Sequence, residues 1–451
     1  MRPIASRALR AAVVVVLALW SGFGVRSAAA VDILSVTSPK GIAAWLVRDA
    51  SVPAISVSFA FRAGSADDPP GKEGRAEMTA SLMDEGAGDL DSQSFQRRLE
   101  ETAVSLRFSA SRDYFRGAMR TLSENRDEAF RLLALALDKP RFDAEPVERI
   151  RAQLVSVLDD ETEDPRVVAG HTLFEAMFPD HAYGRPPRGT IATVKTLTVN
   201  DLRDFQRGYL ARDNLMIGVV GDIAPDELAR RLDALFGSLP AKSARRDIAP
   251  AKPVAAGRVI VVDRAIPQSV VLFAESGIAR DDPDWYAAYI VNRILGGGGF
   301  ASRLTEEVRE KRGLAYSVYS YLNPLDYAPL VVGGVATANA RVAESLRLIR
   351  AEWRRMAESG PTEKELDAAK TYINGSFPLQ FDSSRNIADM LVEIQASKLG
   401  TDYIARRPKL IDAVTLDDAK RVARRLLDAD KLTVVVVGKP EGIASTPPGA
   451  P

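Results

Sequence analysis

The chain repeats its own design, and the repeat limits its possible folds more than any other feature. "VPAISVSFAFRAGSADDP" places Pro53 sixteen residues before Pro69, and "IPQSVVLFAESGIARDDP" places Pro267 sixteen residues before Pro283. Both end in Asp-Asp-Pro, 214 residues apart. Asp113-Tyr114 returns as Asp326-Tyr327 after 213 residues, and the stretch Thr198 to Asp222 returns as Thr415 to Lys439 after 217. Three matches in one order at nearly constant spacing indicate one folding unit used twice. The length of 451 residues agrees, because a single core stops growing at about 250 to 300 residues.

The stretch Gly237 to Gly257, rich in Pro, Ala and charge and without a hydrophobic period, reads as the linker. The expected organisation is a first domain over 31–236, the linker over 237–257, a second domain over 258–440 and a disordered tail over 441–451. Within the first half, Ile55 to Phe61 alternates as a half-buried strand, and a helical stretch follows from about Glu73. Two strand-like runs, "AVSLRFSAS" and "DYFRGAMRTL", precede several amphipathic helices, and the half closes with the apolar run Leu215 to Val220. Strands that return after blocks of helices imply an α+β class: two homologous domains, each a largely antiparallel sheet with helices packed on one face.

Lys and Arg together number 60, as do Asp and Glu, so net charge gives no case for binding nucleic acid or an anionic membrane surface. Arg2, Arg7 and Arg10, the apolar run Ala11 to Gly24 and Ala28-Ala29-Ala30 have the order of a removable secretory signal over 1–30. The run is shorter than the roughly 20 residues of a spanning helix. A mitochondrial presequence is the alternative, but the unbroken "VVVVLALW" argues against its amphipathic pattern. Cysteine is absent, which excludes disulfides, thiol chemistry, cysteine metal ligands and a cysteine-linked lipid anchor. Export to a bacterial periplasm is the expected localisation.

Four segments carry a likeness to a known family: "FRAGSADDPPGKEG", "FPDHAYGRPPRGT", "YLARDNLMIGVVGD" and "LGGGGFASRLTEEVREKRGLAYSVYSY". With them the mature chain resembles the pitrilysin/insulinase (M16) zinc peptidases, specifically the short subunits that pair into a two-subunit chamber. The resemblance implies a helix after "PPGKEG" bearing His-x-x-Glu-His, with a glutamate ligand further along. Histidines at i and i+4 on one helix face grip zinc, and the glutamate between them acts as general base.

Laid on this sequence, the motif falls on Glu77, Ala80 and Ser81, and the distal glutamate position falls near Val157. All four functional positions are therefore degenerate, and no zinc or other cofactor is expected in this chain. His171 and His181 are its two histidines. His181, in "DHAYGRP", reads as structural, and His171, at the start of "HTLFEAMF", as a capping or surface residue. Glu77 and Asp84, seven residues apart, read as a solvated helix face.

Arg309 and Tyr316 in "REKRGLAY" match an arginine and a tyrosine that family members carry opposite the zinc. Helical signals run from Ser302, an acceptable N-cap, to Arg312, and Gly313 stops them before the strand "LAYSVYSYL". The run Gly296 to Gly299 has no following Lys-Ser or Lys-Thr, so it reads as a tight connection and not a phosphate loop. The resemblance implies a non-catalytic, substrate-binding subunit. Arg309 and Tyr316 would complete the active site of a homologous zinc-bearing partner in a heterodimer that hydrolyses unfolded peptides. The alternatives are a metal-free scaffold or peptide-binding protein of the same fold, and a self-sufficient enzyme with unconventional ligands.

Overall fold

The computed structural model describes residues 32–254 and 257–447. The segment 1–30 expected to be a signal and the last four residues of the tail lie outside them.

Two sheets carry the duplication. The first contains β1 (Leu34–Thr37), β2 (Ala43–Arg48), β3 (Ala54–Phe61), β4 (Ser105–Ala110), β5 (Phe115–Leu122) and β6 (Leu215–Gly221), in the order β1-β2-β6-β3-β5-β4. The second contains β7 (Val259–Asp263), β8 (Gln268–Ser276), β9 (Ala315–Asn323), β10 (Leu330–Ala338) and β11 (Thr433–Gly438), in the order β7-β11-β8-β10-β9. Apart from β1 the two orders are the same when each strand is replaced by its counterpart. Each sheet has one parallel pair, β2 with β6 and β7 with β11, and the other pairings are antiparallel.

Most helices of each half pack on one face of their own sheet, as expected. In the first half Leu202, Phe205, Leu232 and Phe236 join Phe59 and Phe115 in one core. In the second, Ile290, Trp353 and Val422 join Phe273, Val434 and Val436.

The opposite faces are closed by exchange. Helix Pro165–Met177 of the first half lays Ala169, Leu173 and Met177 against Val270, Ala274, Val332, Val435 and Val437 of the second sheet. Helix Ser384–Ala396 of the second half lies on β3 and β6, where Gln395 Nε2 donates to the Ile217 carbonyl at 2.9 Å and Ser58 Oγ donates to Asp389. This corrects the reading of Ile55 to Phe61 as half-buried: every residue of β3 is buried, because helices cover both of its faces.

The repeated Asp-Tyr dipeptide sits at the joint between the halves, in the β4–β5 and β9–β10 turns. Tyr183 Oη donates to Asp113 Oδ1 at 2.6 Å and accepts the Tyr327 N–H at 3.0 Å, while the Asp326 N–H donates to Asp113 Oδ2 at 3.2 Å. Reciprocally, Asp326 accepts from Tyr114 Oη at 3.0 Å and pairs with Arg62 at 2.7 Å.

The described residues of the linker form no regular structure but are tied down, with the Ala251 N–H on the Tyr327 carbonyl and the Val254 N–H on the Met177 carbonyl. The expected disorder of 441–451 does not hold for its first part. The Thr446 N–H donates to the Val259 carbonyl at 2.8 Å and Ser445 Oγ accepts from the Val261 N–H at 2.9 Å, so this segment lies along the exposed edge of β7. Among the described residues no helix is long and apolar enough to cross a membrane.

Candidate functional site

The first candidate region is built on helix Arg75–Leu82. Its start is fixed by Asp68 of the Asp-Asp-Pro signature, which accepts from the Gly74 N–H at 3.1 Å and the Ala76 N–H at 3.2 Å and pairs with Arg75 at 3.3 Å. An acidic group there satisfies helix N–H groups that would otherwise lack partners. Burial pushes the Asp68 carboxyl up to about 7 despite these bonds.

Glu77 lies in the first turn and faces Arg188, whose Nε is 3.5 Å from its carboxylate. Arg188 also pairs with Glu161, so one guanidinium bridges two carboxylates. Burial raises the Glu77 pKa, Arg188 opposes the shift, and the like charge of Glu161 adds to it. Ala80 is buried, and Ser81 Oγ is engaged in donating to the Glu77 carbonyl at 3.0 Å. Val157 is exposed on helix Ala144–Glu163; the carboxylate of that helix which reaches this region is Glu161, one turn beyond.

These residues do not fit a zinc ion. A site needs about three ligands converging from protein side chains. Here one carboxylate is taken by Arg188, one position is a methyl and one a hydroxyl turned back on its own helix. Among the described residues no three His, Asp or Glu side chains converge as a metal site would require.

Two other sequence readings of this half are corrected. Asp84 lies beyond the end of helix Arg75–Leu82, so it shares no helix face with Glu77. His171 is in the interior of helix Pro165–Met177, half-buried, and the N-cap of that helix is Asp164, which accepts from the Arg166 N–H. Burial lowers the His171 pKa. His181 Nδ1 accepts the Tyr183 N–H at 3.1 Å and its ring meets the Tyr183 ring edge-on at 4.8 Å, which is a packing role.

The second candidate region is the turn into β9. Ser302 Oγ accepts the Thr305 N–H at 3.3 Å, as its N-cap reading predicts, and Gly313 ends the helix with φ of 59°. Between them Thr305–Glu310 winds as a π-helix, where the sequence pattern predicts an α-helix; the Lys311 N–H reaches back five residues to the Glu306 carbonyl at 3.0 Å. A single inserted residue turns the following side chains by about 100° relative to a regular α-helix, and such turns gather at functional sites. Arg303 anchors the segment through Glu365, at 2.6 and 2.7 Å.

The glycine run forms the connection expected of it. Helix Trp285–Asn292 widens into a second π turn, Arg293–Gly297, and Gly296 lies so close to β9 that a Cβ there would meet Ser320 Oγ at 2.4 Å. Phe300 leaves this connection 74% exposed, and Tyr316 stands 85% exposed on β9. The Arg309 guanidinium lies 4.6 Å from the Phe300 ring centre and 5.0 Å from that of Tyr316. A planar cation between two aromatic rings is oriented without its donors being consumed. Sequence reasoning missed Phe300, Arg188 and Glu161; the first follows the glycine run, while nothing local marks the other two.

Both halves of the chain resemble known proteins. Residues 44–191 match the family model described as insulinase (peptidase family M16), and residues 196–373 match the one described as peptidase M16 inactive domain. An uncharacterized zinc protease of Streptomyces coelicolor is 28% identical over 373 residues, 81% of this chain and 80% of that protein. The non-peptidase homolog YmxG of Helicobacter pylori is 28% identical over 348 residues, 77% of this chain and 78% of that protein. A crystal structure of a peptidase M16 inactive domain from Pseudomonas fluorescens superposes with a TM-score of 0.85 at 28% identity, over 92% of this chain and 99% of that one.

Proposed function

Because the chain belongs to the insulinase (M16) peptidase family and has no intact His-x-x-Glu-His at the motif positions, we propose that it is the non-catalytic subunit of a heterodimeric peptidase. Its partner is a homologous chain with the zinc site intact, and the substrates are unfolded peptides. The observation that carries this reading is the Arg309–Phe300–Tyr316 cluster: Glu310 lies 3.4 Å from Arg309 Nε, which leaves the two terminal guanidinium nitrogens and the Tyr316 phenol available at a surface turn. Arg309 grips a peptide carbonyl or carboxylate, and the Tyr316 hydroxyl donates to the oxyanion as it develops. Water attack belongs to the partner. The chain acts after export to the periplasm and removal of residues 1–30.

The test is reconstitution with a zinc-bearing homologue. Tyr316→Phe is expected to lower kcat by about 10² to 10³, the usual effect of losing one oxyanion donor. Arg309→Lys keeps the charge and loses the fork, so KM rises or kcat falls. Both mixtures should elute as the wild-type complex does in size-exclusion chromatography. Full turnover by both variants in assembled complexes would overturn the active-site role and leave the metal-free scaffold.

A further inference from the structure

A cavity of about 530 Å³ opens beside β9, bounded by helix Trp285–Asn292, the turn Phe377–Phe381 and helices Ser384–Ala396 and Tyr403–Asp412. Its walls include the rings of Trp285, Tyr321, Phe377 and Tyr403, and two guanidinium groups reach it, Arg280 and Arg407. Arg280 lies 4.8 Å from the Trp285 ring centre and donates to Tyr403 Oη at 3.0 Å. Arg407 is only 7% exposed. Its guanidinium sits 4.0 Å from the Phe377 ring centre, with one long hydrogen bond of 3.5 Å to the Ile373 carbonyl.

Neither arginine forms an ion pair with a carboxylate among the described residues. The one carboxylate in the wall, Glu393, is taken by Arg116 at 2.6 Å. Arginine does not relieve such a position by losing its proton, and an unpaired buried charge is strongly unfavourable. Buried Arg407, with the partly exposed Arg280 facing the same aromatic-walled space, makes a site electrostatically incomplete without an anion. The volume lies within the range of small-ligand pockets, and the guanidinium fork matches a carboxylate.

We infer that this cavity binds a carboxylate carried on an aromatic or large apolar body. The same chemistry is offered by a free aromatic acid and by the C-terminal residue of a peptide. The site uses neither Arg309 nor Tyr316, so it stands or falls independently of the heterodimer reading.

Trp285 in the wall provides the signal. The mature chain is titrated with N-acetyl-phenylalanine, with its amide, and with a hexapeptide ending in phenylalanine, followed by tryptophan fluorescence and calorimetry. The acid is expected to bind saturably and about 10- to 100-fold more tightly than the amide, the effect of a charge-assisted hydrogen bond. Tighter binding of the peptide than of the acid assigns the site to chain ends; equal or weaker binding assigns it to small acids. Arg280→Gln, at a partly exposed position, should remove that preference while the melting temperature holds. Arg407→Gln is the stronger perturbation but alters a buried residue. Equal binding of acid and amide, an Arg280→Gln variant that binds as well as the wild type, or no binding of any probe overturns the inference.

Discussion

Replacing Tyr183 by Phe deletes one oxygen from the joint between the halves. The ring is fully buried, and its edge-on contact with Phe178 at 5.6 Å survives the change, so no cavity opens. Two polar groups lose their partner: the buried Asp113 carboxyl, held at 2.6 Å, and the Tyr327 N–H, held at 3.0 Å. A hydrogen bond to a charged group contributes about 1.5 to 3 kcal/mol, and an orphaned buried N–H costs about 1 to 3 kcal/mol, so the expected loss near neutral pH is about 4 kcal/mol.

The loss is also pH-dependent. Burial pushes the Asp113 carboxyl up from 3.8 to about 6, the Tyr183 bond opposes the shift and the Asp326 charge adds to it. With the folded pKa above the unfolded one, the native state holds the extra proton between those values. Stability therefore falls as pH rises from about 4 to about 6 and is level above. Removing Tyr183 Oη raises the folded pKa further and extends the fall toward neutrality. At pH 5, where Asp113 is largely protonated in both proteins, its bond counts as a neutral one of about 0.5 to 1.5 kcal/mol while the orphaned N–H still costs about 1 to 3, so the loss shrinks to about 3 kcal/mol. Urea unfolding of the mature chain at pH 5 and pH 7.5 measures both. Equal losses at the two pH values, or less than about 1 kcal/mol at pH 7.5, would refute the reasoning.

Elemental analysis of the dialysed mature chain should find far less than one zinc per chain, and a chelator should leave its melting temperature unchanged; stoichiometric zinc contradicts the Glu77–Arg188–Glu161 reading. Burial pushes Glu275 up to about 8 against its bonds from Trp353 and the Asp428 N–H. Stability should therefore fall as pH rises from about 4.5 to about 8, and thermal melts of Glu275→Gln should lack that slope. Glu365 is held at about 2, since the bonds from Arg303 and Thr362 outweigh burial. Its contribution is lost as pH falls below about 4.5, and Glu365→Gln, which leaves Arg303 without a counter-charge, should cost about 2 to 3 kcal/mol in urea unfolding at neutral pH. Tryptic digestion should spare the linker despite Lys242, Arg245 and Arg246, because its backbone is bonded to both halves; rapid cleavage there argues against that docking.

Local patterns in the chain determined much of this. The constant offsets of Asp-Asp-Pro and Asp-Tyr establish the duplication, because a repeated unit keeps its internal spacing whatever it packs against. Alternation and apolar runs locate β3, β4, β5 and β6, and Ser302 and Gly313 mark helix ends by side-chain oxygen and left-handed backbone. The loss of the zinc motif is a matter of residue identity alone. Everything that depends on which surfaces meet was decided by the tertiary structure. An apolar helix face such as Ala169, Leu173 and Met177 declares that it will be buried, not that the covering sheet belongs to the other half. Arg188 reaches Glu77 from 111 residues downstream, and Arg407 shares a cavity with Arg280 across 127. The two π turns pack on β9, and the one that carries Arg309 follows directly on the Arg303–Glu365 anchor. Side-chain periodicity carries no record of such forces, because they act between segments that only the folded chain brings together.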